Sequence, residues 1–247
     1  VLDTIYALRE TVQYRWTNLN QNTDLPYTDF EDYLSCFKSK RRIKIKNERK
    51  RVYGGGTRVE VVPGDSDVFP GNVSRESFFL SMFDLYTTTV EKMWGTQYLS
   101  AGFFKLLAAS PREFRKNFVF IVAYEGEELV GGTINVVSRT HFYGRYWGAF
   151  KYVPQLHFEV CYYKAIEYCI EQGIGFMEPG AGGGEFKFLR GFDPYIVNSL
   201  HWFSSKALTD AVGDFLRQER EVNNESAEYM IANSAVGKKP PLPGPED

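Results

Sequence analysis

Cysteine is scarce in this chain, with three among 247 residues. Cys36, Cys161 and Cys169 are odd in number and lack metal-ligand spacing. That excludes a disulfide framework or a thiolate zinc site and points to a reducing compartment. Long apolar runs are missing too. No stretch approaches about 18 uninterrupted apolar residues, so no segment is expected to span a bilayer, while a membrane surface stays open as a place of action. There is no internal repeat and no excess of one charge, since 29 Lys and Arg against 31 Asp and Glu leave a net −2. The chain opens at Val1 rather than at methionine, so a leader or a whole upstream region is to be expected before it.

What is present is ample core material, 43% hydrophobic residues, enough for one large domain or two small ones. The charge that nearly cancels overall is unevenly placed. Lys38 to Arg51 holds nine Lys or Arg and one Glu, a local +8 that leaves −10 for the rest. Ile43 and Ile45 are its only apolar residues before Val52, a spacing that suits one helical face poorly. The segment still reads as a helix, either a solvated one or an anion site for the phosphates of a nucleotide, a tRNA or a lipid headgroup.

Along the chain, residues 1–24 carry no clear pattern. Phe30 to Phe37 is amphipathic, with Thr28 as N-cap and Glu31 three residues later. Tyr53-Gly-Gly-Gly56 is a turn, and Thr57 to Val62 alternates as a strand that Pro63-Gly64 stops. Ser74 to Met93 forms a helical face capped by Ser74, and Ala101 to Ala109 a shorter helix. A meander follows through Phe118 to Tyr124, Leu129 to Val137 and His141 to Phe150. Leu156 to Gln172 is a helix stopped by Gly173. Phe176 to Glu178 and Val197 to Phe203 are strands, and Ser205 to Arg220 is a closing helix. This order predicts an α+β fold with a mixed, mostly antiparallel sheet flanked by helices. The Pro-rich run from Lys238 to Asp247 reads as a disordered or draped tail.

The residues that carry chemistry gather in three places: Gly144-Arg-Tyr-Trp-Gly148, Leu156-His-Phe-Glu-Val-Cys-Tyr-Tyr163, and Glu178-Pro-Gly-Ala-Gly-Gly-Gly-Glu-Phe-Lys-Phe-Leu-Arg-Gly-Phe192. Aromatic, acidic and glycine residues there fall at the edges of predicted elements, where side chains and bare backbone can converge on a ligand. These clusters, with Tyr86-Thr-Thr-Thr-Val-Glu-Lys-Met-Trp-Gly-Thr-Gln-Tyr-Leu99, Phe103-Phe104 and His201-Trp202, resemble the FemAB-like branch of the GNAT N-acyltransferase superfamily, labelled peptidoglycan biosynthesis/recognition. The resemblance covers Gln13 to Arg220, and Arg41-Arg-Ile-Lys-Ile-Lys-Asn-Glu-Arg49 is similar to that family's basic helix.

The resemblance implies a GNAT-like fold built as two lobes, of which this chain is the second. Residues 1–53 would be a linker and basic helical remnant of the first lobe, 54–222 the GNAT-like domain, and 223–247 a disordered or extended tail. By analogy with the Fem transferases it implies transfer of an acyl or aminoacyl group to an amine, with acyl-CoA or aminoacyl-tRNA as donor and no certain bound cofactor or metal. The glycine variant and the tail resemble plastid-bearing eukaryotic members more than bacterial ones, so the expected compartment is the bacterial cytoplasm or the plastid stroma. Two departures matter. Gly180-Ala-Gly-Gly-Gly-Glu-Phe-Lys187 has Phe186 where relatives carry a histidine, and Lys151-Tyr-Val-Pro-Gln155 stands where ordinary GNAT enzymes carry their acetyl-CoA loop, leaving no helix-borne pyrophosphate grip.

Within that frame Glu178, His157 and Glu159 are the catalytic candidates. Glu178 or His157 would deprotonate the attacking amine, against the alternatives of a turn cap for Glu178 and a satisfied core donor for His157. Gly182, Gly183 and Gly184 offer backbone N–H groups to an oxyanion, or else form a mobile turn. Lys187 and Arg190 can hold a phosphate or carboxylate, or pair with Glu185 or Glu159. Arg145, Trp147 and Tyr163 complete the substrate-binding set, with Arg145 and Trp147 expected on one face of a strand and Tyr146 on the other. The alternative is a non-catalytic scaffold that docks a larger assembly, a membrane surface or RNA through Lys38–Arg51 and the tail.

Overall fold

A computed structural model describes residues 6–92, 95–181, 184–234 and 236. They divide into two units, one running from 17 to 180 and the other made of the residues before 17 together with those from 181.

In the larger unit, α1 (Phe30–Ser35) starts at Asp29, whose carboxylate accepts from the Asp32 amide at 2.7 Å. The cap lies one residue beyond the predicted Thr28, because Asp32 reaches back to the Thr28 amide at 3.1 Å and the two aspartates close the helix start reciprocally. The basic segment is a helix, α2 (Ser39–Gly54), running two residues into the predicted Tyr53–Gly56 turn. Ile45, Glu48 and Val52 face inward, whereas Ile43 is exposed.

The sheet of this unit has five strands in sequence order: β2 (Thr57–Pro63), β3 (Phe118–Glu125), β4 (Glu128–Val137), β5 (His141–Ala149) and β6 (Phe176–Glu178). All pairs are antiparallel except β5 with β6. Phe120, Val122 and Tyr124 join Phe78, Phe79 and Met82 of α3 (Arg75–Lys92) and Phe104 and Leu107 of α4 (Ala101–Ala109) in one core. The alternate residues Val119, Ile121 and Ala123 are equally buried. β3 is therefore a continuous apolar run because both its faces are covered. A short α5 (Arg112–Arg115) leads into it. At Gly148 the backbone of α3 comes so close to β5 that a Cβ would overlap the Leu85 carbonyl oxygen. Only glycine fits there.

The predicted helix over 156–172 is present in three pieces: α6 (Leu156–Phe158), a π-helical turn over Glu159–Tyr163, and α7 (Lys164–Glu171). Such turns mark functional or strained places inside helices more often than regular stretches do.

In the smaller unit, β1 (Ala7–Thr17) pairs antiparallel with β7 (Asp193–His201), from Ala7 opposite His201 to Arg15 opposite Asp193. A stretch read as patternless or linker is thus a strand, and the predicted strand at Val197–Phe203 begins four residues earlier. Between them stands α8 (Glu185–Phe188), and α9 (Lys206–Ala232) closes the chain. The closing helix continues twelve residues past the predicted end at Arg220, so 223–232, assigned to the tail, are helical. The reason is docking on β1. Arg9 grips Glu219 at 2.7 and 2.8 Å, Asn223 donates to the Glu10 carbonyl at 2.9 Å, and Leu216 and Ala227 are buried. The predicted tail from Lys238 onward lies outside the described residues. No helix among the described residues is long and apolar enough to cross a membrane.

Candidate functional site

The ladder between β5 and β6 is short: it ends at Tyr143 opposite Glu178. β5 continues for six more residues, and it carries an irregularity on the β4 side, where Ile134 opposes Tyr146 but Asn135 opposes Gly144. Arg145 is the extra residue, a β-bulge. The expected alternation of Arg145, Tyr146 and Trp147 is therefore broken at its first member, because a bulge shifts the facing of the residues that follow it. Arg145 is exposed, with its guanidinium carbon 5.7 Å from the Tyr146 ring centroid.

Beyond the bulge, Trp147 lines a pocket of about 390 Å³ with His157 and Phe158 of the helical stretch, Phe150 and Lys151 of the connecting loop, and Lys92 at the end of α3. That volume lies within the range of small-ligand sites. The His157 ring stands edge-on to Trp147, centroids 5.2 Å apart at 70°, and also meets Tyr162 at 5.6 Å. Trp147 is fixed through its backbone, since its carbonyl accepts a short hydrogen bond from the Thr89 hydroxyl of α3. The loop is set by Gln155, which enters α6 in the left-handed region at φ 67°, an uncommon conformation for a residue with a side chain. Lys151 is partly neutralised. Its ammonium lies 2.6 Å from Glu125 and 3.5 Å from Glu128, and the hydrogen bond to Glu125 holds its pKa above the ordinary value.

The same helical stretch carries a buried ion pair. Glu159 is fully buried, and its carboxylate receives Arg49 Nη2 at 2.9 Å and the Tyr53 hydroxyl at 2.8 Å. Arg49 also reaches Glu167 at 3.5 Å and lies 4.3 Å from the Phe30 ring centroid. Burial opposes the charge on Arg49, but Glu159 and Glu167 outweigh it and raise its pKa. Burial, then Glu159, pushes the Tyr53 phenol up as well. Tyr163, at the end of the π turn, is also fully buried and donates a short hydrogen bond to Glu48. Glu159 and Tyr163, read as catalytic and substrate-binding candidates, are thus enclosed in packing that ties α2 to the π turn. Their polar atoms are engaged with Arg49, Tyr53 and Glu48, and neither residue lines the Trp147 pocket.

Glu178 ends β6, half-buried, beside Tyr143 and not among the pocket residues. At this strand end a Cβ on Gly144 would lie 3.4 Å from the Pro179 backbone. In the smaller unit, Gly182 and Gly183 lie outside the described residues. Gly184 approaches Tyr14 so closely that a Cβ would sit 2.5 Å from its hydroxyl. Lys187 and Arg190, expected to face an anion together, are 2% and 3% exposed. Arg190 Nη1 donates to the Phe186 carbonyl at 2.9 Å, and Lys187 Nζ lies 6.0 Å from the Tyr14 ring centroid. Burial brings the Lys187 pKa down to about 8. Both belong to the interior, Lys187 from the short α8 and Arg190 from the turn that follows it. Of the predicted site residues among those described, Trp147 and His157 line this pocket together. Lys92 and Phe150 were missed, because a helix-terminal Lys and a lone Phe after a strand carry no motif. Among the described residues no group of three or more His, Cys, Asp or Glu is placed to hold a metal ion.

The sequence matches the model of the FemAB-like family, described as peptidoglycan biosynthesis/recognition, over residues 2–237. No match to a curated protein was found. Among solved structures, the fold is similar to that of L-PGS from Bacillus licheniformis (TM-score 0.55, 11% identity, 87% of this chain and 68% of that one). It is similar also to FemX (0.50, 13%, 82% and 64%) and to the C-terminal domain of a putative lysylphosphatidylglycerol synthetase from Agrobacterium fabrum (0.50, 10%, 86% and 66%). The chain thus spans about two thirds of the length of these structures.

Proposed function

Because the chain belongs to the FemAB-like family, we propose that it is an aminoacyl- or acyltransferase lobe whose donor group enters the pocket between Trp147 and His157. The observation that carries this reading is the convergence there of an indole, an imidazole and two lysines, at the end of a strand that outruns its neighbour and beside a bulge. The apolar walls of Trp147, Phe150 and Phe158 suit an acyl or aminoacyl side chain, while Lys92 and Lys151 suit an anionic donor at the mouth. The similarity to a putative lysylphosphatidylglycerol synthetase supports an activated aminoacyl donor, and the family's description favours an amine of a cell-wall precursor as the acceptor.

In the reaction the acceptor nitrogen attacks the ester carbonyl carbon of the donor. His157 takes the proton released by that nitrogen, the carbon–oxygen ester bond breaks, and the departing hydroxyl oxygen is protonated in turn. Glu178 is the second candidate base, from the end of β6. Backbone N–H groups at the bulge would hold the oxyanion. The test is turnover of aminoacyl-tRNA with an amine acceptor. His157→Gln should lower kcat by about 10²–10⁴-fold, the range of a lost general base, and leave donor binding intact. Unchanged turnover in that variant, with loss in Glu178→Gln, would move the proton transfer to Glu178.

A further inference from the structure

α9 exposes more apolar surface than its docking on β1 consumes. Leu208, Phe215, Val222 and Tyr229 recur every seven residues and are 47%, 60%, 62% and 71% exposed. Seven residues fall about 20° short of two full α-helical turns, so the four side chains form one slowly winding stripe. Ala211, Gln218 and Glu225 lie between them, where a coiled-coil seam places its second row. The docking side is distinct, since Leu216, Glu219, Asn223 and Ala227 face β1. An apolar stripe that runs three heptad steps, from Leu208 to Tyr229, is larger than the single exposed hydrophobics normal on a surface.

At its C-terminal end the stripe runs into a cavity of about 810 Å³, lined by Tyr229, Glu225 and Met230 of α9, by Tyr14, and by Glu185 and Phe188 of α8. The charged residues lining it are both acidic. Glu221 and Glu228 add two carboxylates along the flank of the stripe, and no ion pair among the described residues involves any of these four. The charges decide the occupant. A second copy laid parallel would bury Glu225 against itself, and one laid antiparallel would oppose Glu221 and Glu228, while anionic lipid and nucleic acid meet the same repulsion.

We propose that this face receives a cationic amphipathic helix of a protein partner. Its apolar residues at three- and four-residue spacing pack on Leu208, Phe215 and Val222, and one Lys or Arg enters the cavity over the Tyr14 and Tyr229 rings toward Glu185 and Glu225. This goes beyond the transfer reaction and does not depend on it. The probe is a synthetic helix of about four heptads with Leu in the seam and Lys on the flanks, titrated by fluorescence anisotropy against the full chain beside a twin carrying Glu flanks. The Lys peptide should bind at least about tenfold more tightly than its twin, with affinity falling as salt rises. Phe215→Glu or Glu225→Lys, both at exposed positions, should each reduce binding by about tenfold or more with the melting temperature unchanged. Equal binding of both peptides, or none, would overturn the proposal. So would concentration-dependent dimerisation in sedimentation that Phe215→Glu abolishes, or binding to phosphatidylglycerol vesicles that the same substitution abolishes.

Discussion

Arg49 neutralises Glu159, leans on Glu167 and stacks over Phe30, all from one side chain. Removing one partner of a buried pair leaves the other charge uncompensated, so Arg49→Met should cost about 3–5 kcal/mol in denaturant unfolding. Arg49→Met with Glu159→Leu should recover part of that loss. Glu167 gives the pH dependence. Burial resists its ionisation, but Lys164 and Arg49 hold its pKa below the ordinary value. Its contribution to stability is complete above the unfolded value of about 4.3 and is lost as pH falls through the lower folded one. Melting temperatures taken downward from about pH 6 should therefore fall more steeply in the natural chain than in Glu167→Gln. Lys187 acts in the opposite direction. With its pKa lowered to about 8 against about 10.4 when unfolded, the folded chain sheds a proton that the unfolded chain keeps. Stability should rise with pH across that window, and Lys187→Met should flatten the rise.

At the scale of elements, sequence pattern found what local periodicity determines and missed what distant partners determine. α3, α4, β3, β4, β5 and β6 were legible because apolar spacing or an unbroken apolar run announces them. β1 was not: Val12, Tyr14 and Trp16 alternate with Gln13 and Arg15, but Arg9 and Glu10 break the pattern before them, and the strand exists because β7 and α9 supply its partners from the far end of the chain. The bulge at Arg145 and the π turn at Glu159–Tyr163 were equally invisible, since each adds a residue to an element without altering its composition. For the same reason Trp147 and His157 could be named as candidates but not paired. Gly148 offers a direct check on the crossing that positions Trp147. Gly148→Ala must push the Leu85 carbonyl away, and a loss of about 1–3 kcal/mol or more is expected on chemical denaturation, with weaker donor binding alongside it. Substitution at Gly126, where nothing lies within 4 Å of an added Cβ, should cost only the strain of its positive φ.

For the molecule as a whole, the family was legible in ordered motifs, whereas the interior placement of Lys187 and Arg190 was not, because burial cannot be read from charge. The basic helix illustrates the same limit. Lys46 pairs with Glu31 and Arg49 is consumed internally, while Lys40, Lys44 and Arg51 lie on one exposed face of α2. Reversing those three charges should weaken binding of any polyanionic donor and reduce the salt dependence of that binding, measured by titration in increasing salt. The most direct test of the transferase reading is the melting temperature of the chain with aminoacyl-tRNA or acetyl-CoA present, compared between the natural sequence, Trp147→Ala and His157→Gln. A donor that occupies the native pocket raises the midpoint. The expected result is a rise with one acyl donor that Trp147→Ala removes and His157→Gln keeps. No rise with either donor, or a rise indifferent to Trp147, would contradict the assignment of this pocket to the donor.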